Sequence, residues 1–184
     1  MKLPKQITPN PLVLSTVELR FSSNLNESSI LSTIFPLFSN ELPNLTEGKI
    51  PKEIKRQNAQ FKYAPDFCLK NELYTISFSN NVISFENNKE YTLWNNYFEF
   101  IKTQLLKLIN LGIIVNFDRI GVRYVSIFEN KNDIKSVLNQ IPSIIIEGYE
   151  ENFLHYTSEI KKEKLNLNLN IAKNAKVERD GVAK

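Results

Sequence analysis

Residues 92–128 read TLWNNYFEFIKTQLLKLINLGIIVNFDRIGVRYVSIF: a helix pattern, one glycine and a strand pattern in direct succession. From Trp94, apolar side chains recur at Tyr97, Phe98, Ile101, Leu105, Leu108 and Ile109, the spacing of a helix with one buried stripe. Glu99, Lys102, Gln104, Lys107 and Asn110 fall largely off that stripe and are expected to face water. Thr92 is placed to cap the first turn with its hydroxyl. Gly112 follows the last periodic residue, where a left-handed residue closes a helix at least steric cost. Beyond it, Ile113 to Phe128 is rich in β-branched and aromatic residues and reads as a strand. Its alternation puts Ile120, Val122, Tyr124 and Phe128 on one face and Arg119, Gly121, Arg123, Val125 and Ile127 on the other. A helix entering a strand through one glycine must fold back on the sheet. Trp94, Phe98 and Leu105 are therefore expected to lie buried against Ile120, Val122 and Tyr124.

Upstream, Leu73 to Phe78 and Val82 to Glu86 flank Asn80-Asn81, a pair suited to a two-residue hairpin turn. That turn sets Phe78 opposite Ile83 and Ile76 opposite Phe85, apolar against apolar. Phe67 to Lys70 can add a third strand. Val13 to Phe21 reads as a strand with Val13, Val17, Leu19 and Phe21 inward. Asn24 or Asn26 can cap a helix whose stripe is Ile30, Ile34, Phe38 and Leu42, with a kink or break expected near Phe35 because Pro36 lacks an N–H. Pro43 ends that element. Residues 43–62 are polar and read as a loop with at most one short helical turn, and residues 1–11 read as an extended lead-in.

Downstream, Lys131 to Gln140 reads as a short helix and Ser143 to Glu147 as a strand or buried link. Phe153 to Lys162 is expected to pair with Lys164 to Lys173, where Leu165, Leu167, Leu169 and Ile171 alternate with asparagines, giving one dry face and one wet face. Arg179-Asp180-Gly181 announces another strand with three residues left. The reading is a single α+β domain over 1–184, truncated at its C-terminus or completed by a strand from another chain, with an edge open for pairing. Its fold class is a largely antiparallel sheet with two main helices packed on one face.

The segment Arg119-Ile120-Gly121-Val122-Arg123-Tyr124, with Trp94, Tyr97 and Phe98 ahead of it, resembles a sporadically distributed family of uncharacterised bacterial proteins. Members of that family run longer than this chain and carry an Arg-Ile-Gly-Leu-Arg-Tyr-Ile-Asn-like motif in mid-chain. Pro11-Leu12-Val13 and Val17-Glu18-Leu19-Arg20-Phe21 look like its opening strand, and Ser126 stands where the family tends to have Asn. The resemblance implies the scattered distribution of phage or defence accessory proteins.

A chain of 184 residues that is 42% hydrophobic can bury a substantial core. Net charge is +3, from 23 basic and 20 acidic residues, which is not the dense basic patch of a dedicated nucleic-acid binder. Cys68 is the only cysteine, so an intrachain disulfide framework is excluded and a reducing, cytoplasmic compartment fits. The first residues lack the apolar stretch of a signal peptide, and no apolar run is long enough to span a bilayer.

The residues that stand out for binding are Arg119, Gly121 and Arg123. Two guanidiniums beside a bare glycine match the oxygens of a phosphate or carboxylate. The competing reading is a cross-strand salt ladder with Glu18, Glu159 or Glu163. Asp66, Glu72 and Asp118 would have to converge to build a metal-dependent nuclease or hydrolase. Cys68 and His155 would have to meet to form a catalytic pair, whereas Cys68 between Phe67 and Leu69 reads as a packing residue. Trp94, Tyr97, Phe98 and Phe100 could stack on bases, but their helical spacing favours the core. No glycine-rich phosphate loop, metal set or cofactor motif is present. The expectation is a non-catalytic binding or accessory protein that acts through a protein partner or self-association, without cofactor. Phosphate, nucleotide or nucleic-acid recognition through Arg119 and Arg123 is the alternative, and metal-dependent catalysis the third reading.

Overall fold

The structure, a computed structural model, describes residues 10–88, 91–128, 154–173, 178–179 and 182–183. The chain divides into two compact units, Met1–Ile127 and Phe128–Lys184. The expected helix over Lys131 to Gln140 and strand over Ser143 to Glu147 lie outside the described residues.

The first unit is α+β. In chain order it contains β1 (Leu12–Ser23), α1 (Ile30–Phe38), β2 (Asn44–Glu47), α2 (Lys52–Gln57), β3 (Phe67–Lys70), β4 (Tyr74–Ser79), β5 (Val82–Asn87), α3 (Trp94–Asn110) and β6 (Ile114–Ser126). The strands form one antiparallel sheet in the order β2-β3-β4-β5-β1-β6. Alternation along β1 buries Val17, Leu19 and Phe21 on one face and leaves Glu18 and Arg20 half-exposed on the other. The β4–β5 hairpin keeps the expected register, Phe78 opposite Ile83 and Ile76 opposite Phe85. The four-residue β2, all of it exposed, pairs with β3 where a loop was expected. Four exposed residues carry no alternation, so only the neighbouring strand defines them.

Both main helices cover the same face of the sheet. Asn26 accepts the Ser29 N–H at 2.9 Å and starts a single 3-10 turn that runs into α1. Ile30, Ile34, Phe38 and Leu42 are buried, as the spacing requires. The helix passes through Pro36 and stops at Phe38, three residues beyond the expected break, with the Ser39 N–H bonded to the Phe35 carbonyl. At its other end α3 closes on Gly112 at φ 68°, the left-handed residue that its position calls for. Its start differs from expectation. Leu93 is the cap residue, without a side-chain bond, while the Thr92 hydroxyl lies 3.3 Å from the Tyr74 hydroxyl and accepts from Asn87 Nδ2 at 3.4 Å.

The core joins Val17, Leu19 and Phe21 of β1, Ile76, Phe78, Ile83 and Phe85 of the hairpin, and Ile34, Phe38, Tyr97, Ile101 and Leu108 of the helices. The Tyr97 hydroxyl donates towards two carbonyls beneath it, Phe85 at 2.6 Å and Ser15 at 3.2 Å. Burial pushes its pKa well up. The stripe that α3 buries is Tyr97, Ile101, Gln104 and Leu108, not one through Trp94 and Phe98. No helix among the described residues is long and apolar enough to cross a membrane.

In the second unit, β7 (Leu154–Lys162) and β8 (Leu165–Lys173) form an antiparallel hairpin through a two-residue turn at Glu163 and Lys164. Leu167 opposite Ile160 and Ile171 opposite Tyr156 share one face, and the asparagines share the other with Thr157 and Glu159. The expected dry face is not dry, because Ile160, Leu165, Leu167 and Leu169 are all exposed. Further on, β9 (Glu178–Arg179) pairs antiparallel with β10 (Val182–Ala183).

Candidate partner-binding site

The outermost strand of the first unit, β6, runs for 13 residues and pairs on one side only among the described residues. Its register against β1 shifts between Leu12 and Leu14 and, further along β1, between Arg20 and Phe21 and between Ser22 and Ser23, irregularities of the kind that strands at a sheet edge carry. Between the shifts the alternation is regular. Ile120, Val122 and Tyr124 stand opposite Leu19, Val17 and Ser15, on the face that the helices cover further in. Arg119, Gly121 and Arg123 stand opposite Arg20, Glu18 and Thr16, on the other face.

The sequence brings Arg119, Gly121 and Arg123 to one side as expected, but the salt ladder with Glu18 does not form. Glu18, the carboxylate nearest in register, accepts from Arg20 Nε at 2.7 Å, and Glu159 is engaged by Lys161 and Asn166 in its own hairpin. Neither Arg119 nor Arg123 has an ion-pair partner among the described residues, and both are exposed. A Cβ built on Gly121 meets nothing within 4 Å, so the backbone between the guanidiniums lies open.

The opposite side of β6 overturns an expectation. Ile120, Val122 and Tyr124 are 67%, 50% and 50% exposed rather than covered by α3. The physical reason is the position of the helix. Tyr97 ties α3 to the carbonyls of Ser15 on β1 and Phe85 on β5, so its stripe covers those strands and leaves β6 outside. Trp94 and Phe98 consequently remain over 40% exposed and stack on each other at 5.6 Å. Rings connect the two elements: Trp94 meets Tyr97 at 6.2 Å, Tyr97 meets Tyr91 at 6.3 Å, and Tyr91 meets Tyr124 at 6.4 Å, each edge to face. Burial first, and the neighbouring Tyr124 hydroxyl second, push the Tyr91 pKa up to about 12, so that ring stays a neutral phenol. The result is two exposed apolar groups, Phe98 and Trp94 on α3 and Tyr124, Val122 and Ile120 on β6, joined by the buried Tyr97 and by Tyr91.

Sequence periodicity singled out Trp94 and Phe98 but assigned them to the core. The signal against that assignment was the surplus of apolar residues. Leu93, Leu106 and Leu111 lie off the main stripe and are exposed, so this helix has more greasy surface than one contact can bury.

The candidate metal ligands are not assembled among the described residues. Asp66 is held by Lys55 at 2.8 Å, and Asp118 accepts from Asn116 at 3.1 Å and Ser22 at 3.4 Å. No group of three His, Cys, Asp or Glu side chains capable of holding a metal occurs among the described residues. Cys68 is half-buried in β3 with its sulfur accepting from the Ser77 hydroxyl at 3.2 Å, and His155 belongs to the other unit. No protein-family model matches the chain, and no curated protein or solved structure matches it either.

Proposed function

We propose that the protein is a non-catalytic binding module whose β6 edge accepts an extended segment of a protein partner as an added strand. The observation that carries this reading is the exposure of Tyr124, Val122 and Ile120 along an edge strand with backbone groups to pair, with Trp94 and Phe98 also exposed on α3. Exposed aromatic residues flanked by arginine are the composition of interface hot spots, and strand addition is a recurrent mode of peptide recognition.

The arrangement of faces favours a peptide over a nucleic acid. The guanidiniums of Arg119 and Arg123 project from one face of the sheet, and the rings and aliphatics of β6 from the other. A strand laid along the edge sends alternate side chains to both faces, so acidic residues reach the arginines while apolar residues reach Tyr124 and Val122. A single-stranded nucleic acid needs stacking rings and phosphate-binding cations in one groove. A second copy fits less well, because pairing two β6 strands antiparallel about Gly121 sets Arg119 against Arg123 of the other copy, like charges face to face.

The test is a peptide selection from a random library against the full chain. The expected outcome is enrichment of alternating acidic and apolar residues, with binding weakened at least tenfold by Val122→Lys and the acidic preference lost in the Arg119→Ala, Arg123→Ala double variant. Enrichment that ignores Val122→Lys, or none at all, rejects the reading. Concentration-dependent dimerisation abolished by Val122→Lys would assign the edge to a second copy instead.

A further inference from the structure

A cavity of about 220 Å³ lies in the first unit where α2 and the segment after it approach the β4–β5 turn. Lys52, Lys55, Arg56, Lys62, Glu27, Asp66, Asn80 and Asn81 line it. It shares no residue with the β6 surface.

Consider its charge first. Four cations face two carboxylates, a surplus of two positive charges. The carboxylates are already committed: Asp66 to Lys55 at 2.8 Å, with both side chains largely buried, and Glu27 to Arg56 at 3.1 Å near the surface. Lys52 and Lys62 have no carboxylate partner among the described residues, although the Lys62 ammonium lies 5.2 Å from the Tyr63 ring centre. Hydrogen-bonding capacity points the same way. Lys55 uses one of its three N–H donors on Asp66, and Arg56 has donors beyond those it gives Glu27. Asn81 has its side-chain oxygen occupied by the Ser79 hydroxyl at 3.0 Å and its carbonyl by the Phe21 N–H at 3.1 Å. What it retains for the cavity is an amide NH2. The lining therefore offers several N–H donors beside two committed carboxylates, with a surplus of two positive charges.

Volume narrows the ligand. Drug-sized ligands occupy about 300–1,000 Å³, and a water takes about 30 Å³, so this cavity has room for about seven waters. That admits a phosphate with a short ester tail. A phosphomonoester carries roughly −1.5 to −2 charges at neutral pH, which matches the surplus.

We infer that this cavity is a binding site for a small phosphomonoester or free phosphate, held between Lys52 and Lys62 with Lys55, Arg56 and the amides of Asn80 and Asn81 completing the shell. This site is separate from Arg119 and Arg123. The Lys55–Asp66 pair forms the fixed floor, and the two exposed lysines supply most of the unneutralised charge.

The experiment titrates the full chain with inorganic phosphate and with glycerol 3-phosphate, following the side-chain NH2 signals of Asn80 and Asn81 by nitrogen-15 NMR. Saturable shifts of those signals are expected, with affinity reduced at least tenfold in the Lys52→Ala, Lys62→Ala double variant. Both lysines are exposed, so the variant keeps its fold, which the unchanged spectrum elsewhere verifies. The Arg119→Ala, Arg123→Ala variant is expected to bind like the parent. Absence of saturation, or binding indifferent to loss of Lys52 and Lys62, overturns the assignment. So does binding of a single-stranded oligonucleotide through Lys52 and Lys62 when neither small phosphate binds.

Discussion

The sheet from β1 to β5 and the hairpin of β7 and β8 are built from the same alternation and reach opposite ends. In the first, the inward residues of β3 to β5 meet a helix: Leu69, Ile76, Phe78, Ile83 and Phe85 are all at or near zero exposure beneath α1 and α3. In the second, the leucines of β8 alternate with asparagine at every step, yet Leu167 remains 60% exposed. Period 2 thus selects a face without supplying what covers it. A two-stranded ribbon alone is marginally stable, since one apolar face in water returns little of the entropy spent ordering it. Strand β6 stands between these cases: one side is paired to β1, and its apolar side chains lie beyond the last helix.

Matched truncations give the largest test of that contrast. Leu69→Ala removes a side chain with no exposure and is expected to destabilise the first unit by about 2–5 kcal/mol through lost burial and the cavity left behind. Leu167→Ala removes the same atoms from a solvated face and is expected to change stability by less than about 0.5 kcal/mol. Urea denaturation of each variant measures both. Equal losses at the two sites would mean that the hairpin face is covered in solution.

How far this division was legible depended on whether the deciding contact was local. Gly112, the Asn80-Asn81 turn, the pairing of Phe78 with Ile83 and the common face of Arg119, Gly121 and Arg123 all follow from short-range geometry, and each appears where its spacing put it. The placement of α3 does not follow from spacing. Which of its apolar residues are buried depends on where the helix lies across the sheet, and that is set by the Tyr97 hydroxyl reaching two distant carbonyls. Trp94 and Phe98 were therefore recognised as apolar but misplaced. The cavity was invisible for a related reason: its cations stand in a polar stretch with no periodicity, and only folding sets Lys52 and Lys62 near Asn80 and Asn81.

Glycines give the second test, with one substitution applied in both surroundings. A Cβ at Gly48 would run into the Pro65 carbonyl oxygen and lie 2.9 Å from its carbon, main-chain atoms tied down by the bond from the Gly48 N–H to the Asp66 carbonyl at 2.7 Å. Gly48→Ala is expected to cost about 1–3 kcal/mol by displacing backbone. Gly121→Ala has open space and an extended strand conformation, so it is expected to be neutral or stabilising by up to about 1 kcal/mol, because alanine restricts the unfolded chain. Thermal unfolding ranks the pair, and a reversed order would refute the difference in surroundings.

The smallest effect concerns a polar staple that helps hold the helical layer. Glu41, three residues past α1, accepts from Gln104 Nε2 at 2.7 Å and from the Lys107 ammonium, both on α3. Lys107 first, and Gln104 with it, hold the Glu41 pKa below its ordinary value of 4.5 against the opposing cost of burial. Because the folded-state pKa is the lower one, the charged carboxylate binds fewer protons in the folded chain than in the unfolded chain at acidic pH. Its stabilising contribution is thus present above the ordinary value and lost as pH falls through the folded one. Glu41→Gln should lower the melting temperature at neutral pH, by a margin that shrinks in acid until the two proteins coincide. Glu159→Gln, whose contact with Lys161 spans 3.5 Å between exposed groups, should move the melting temperature little at neutral pH. A Glu41→Gln margin that stays constant into acid would show that this carboxylate does its work by shape rather than by charge.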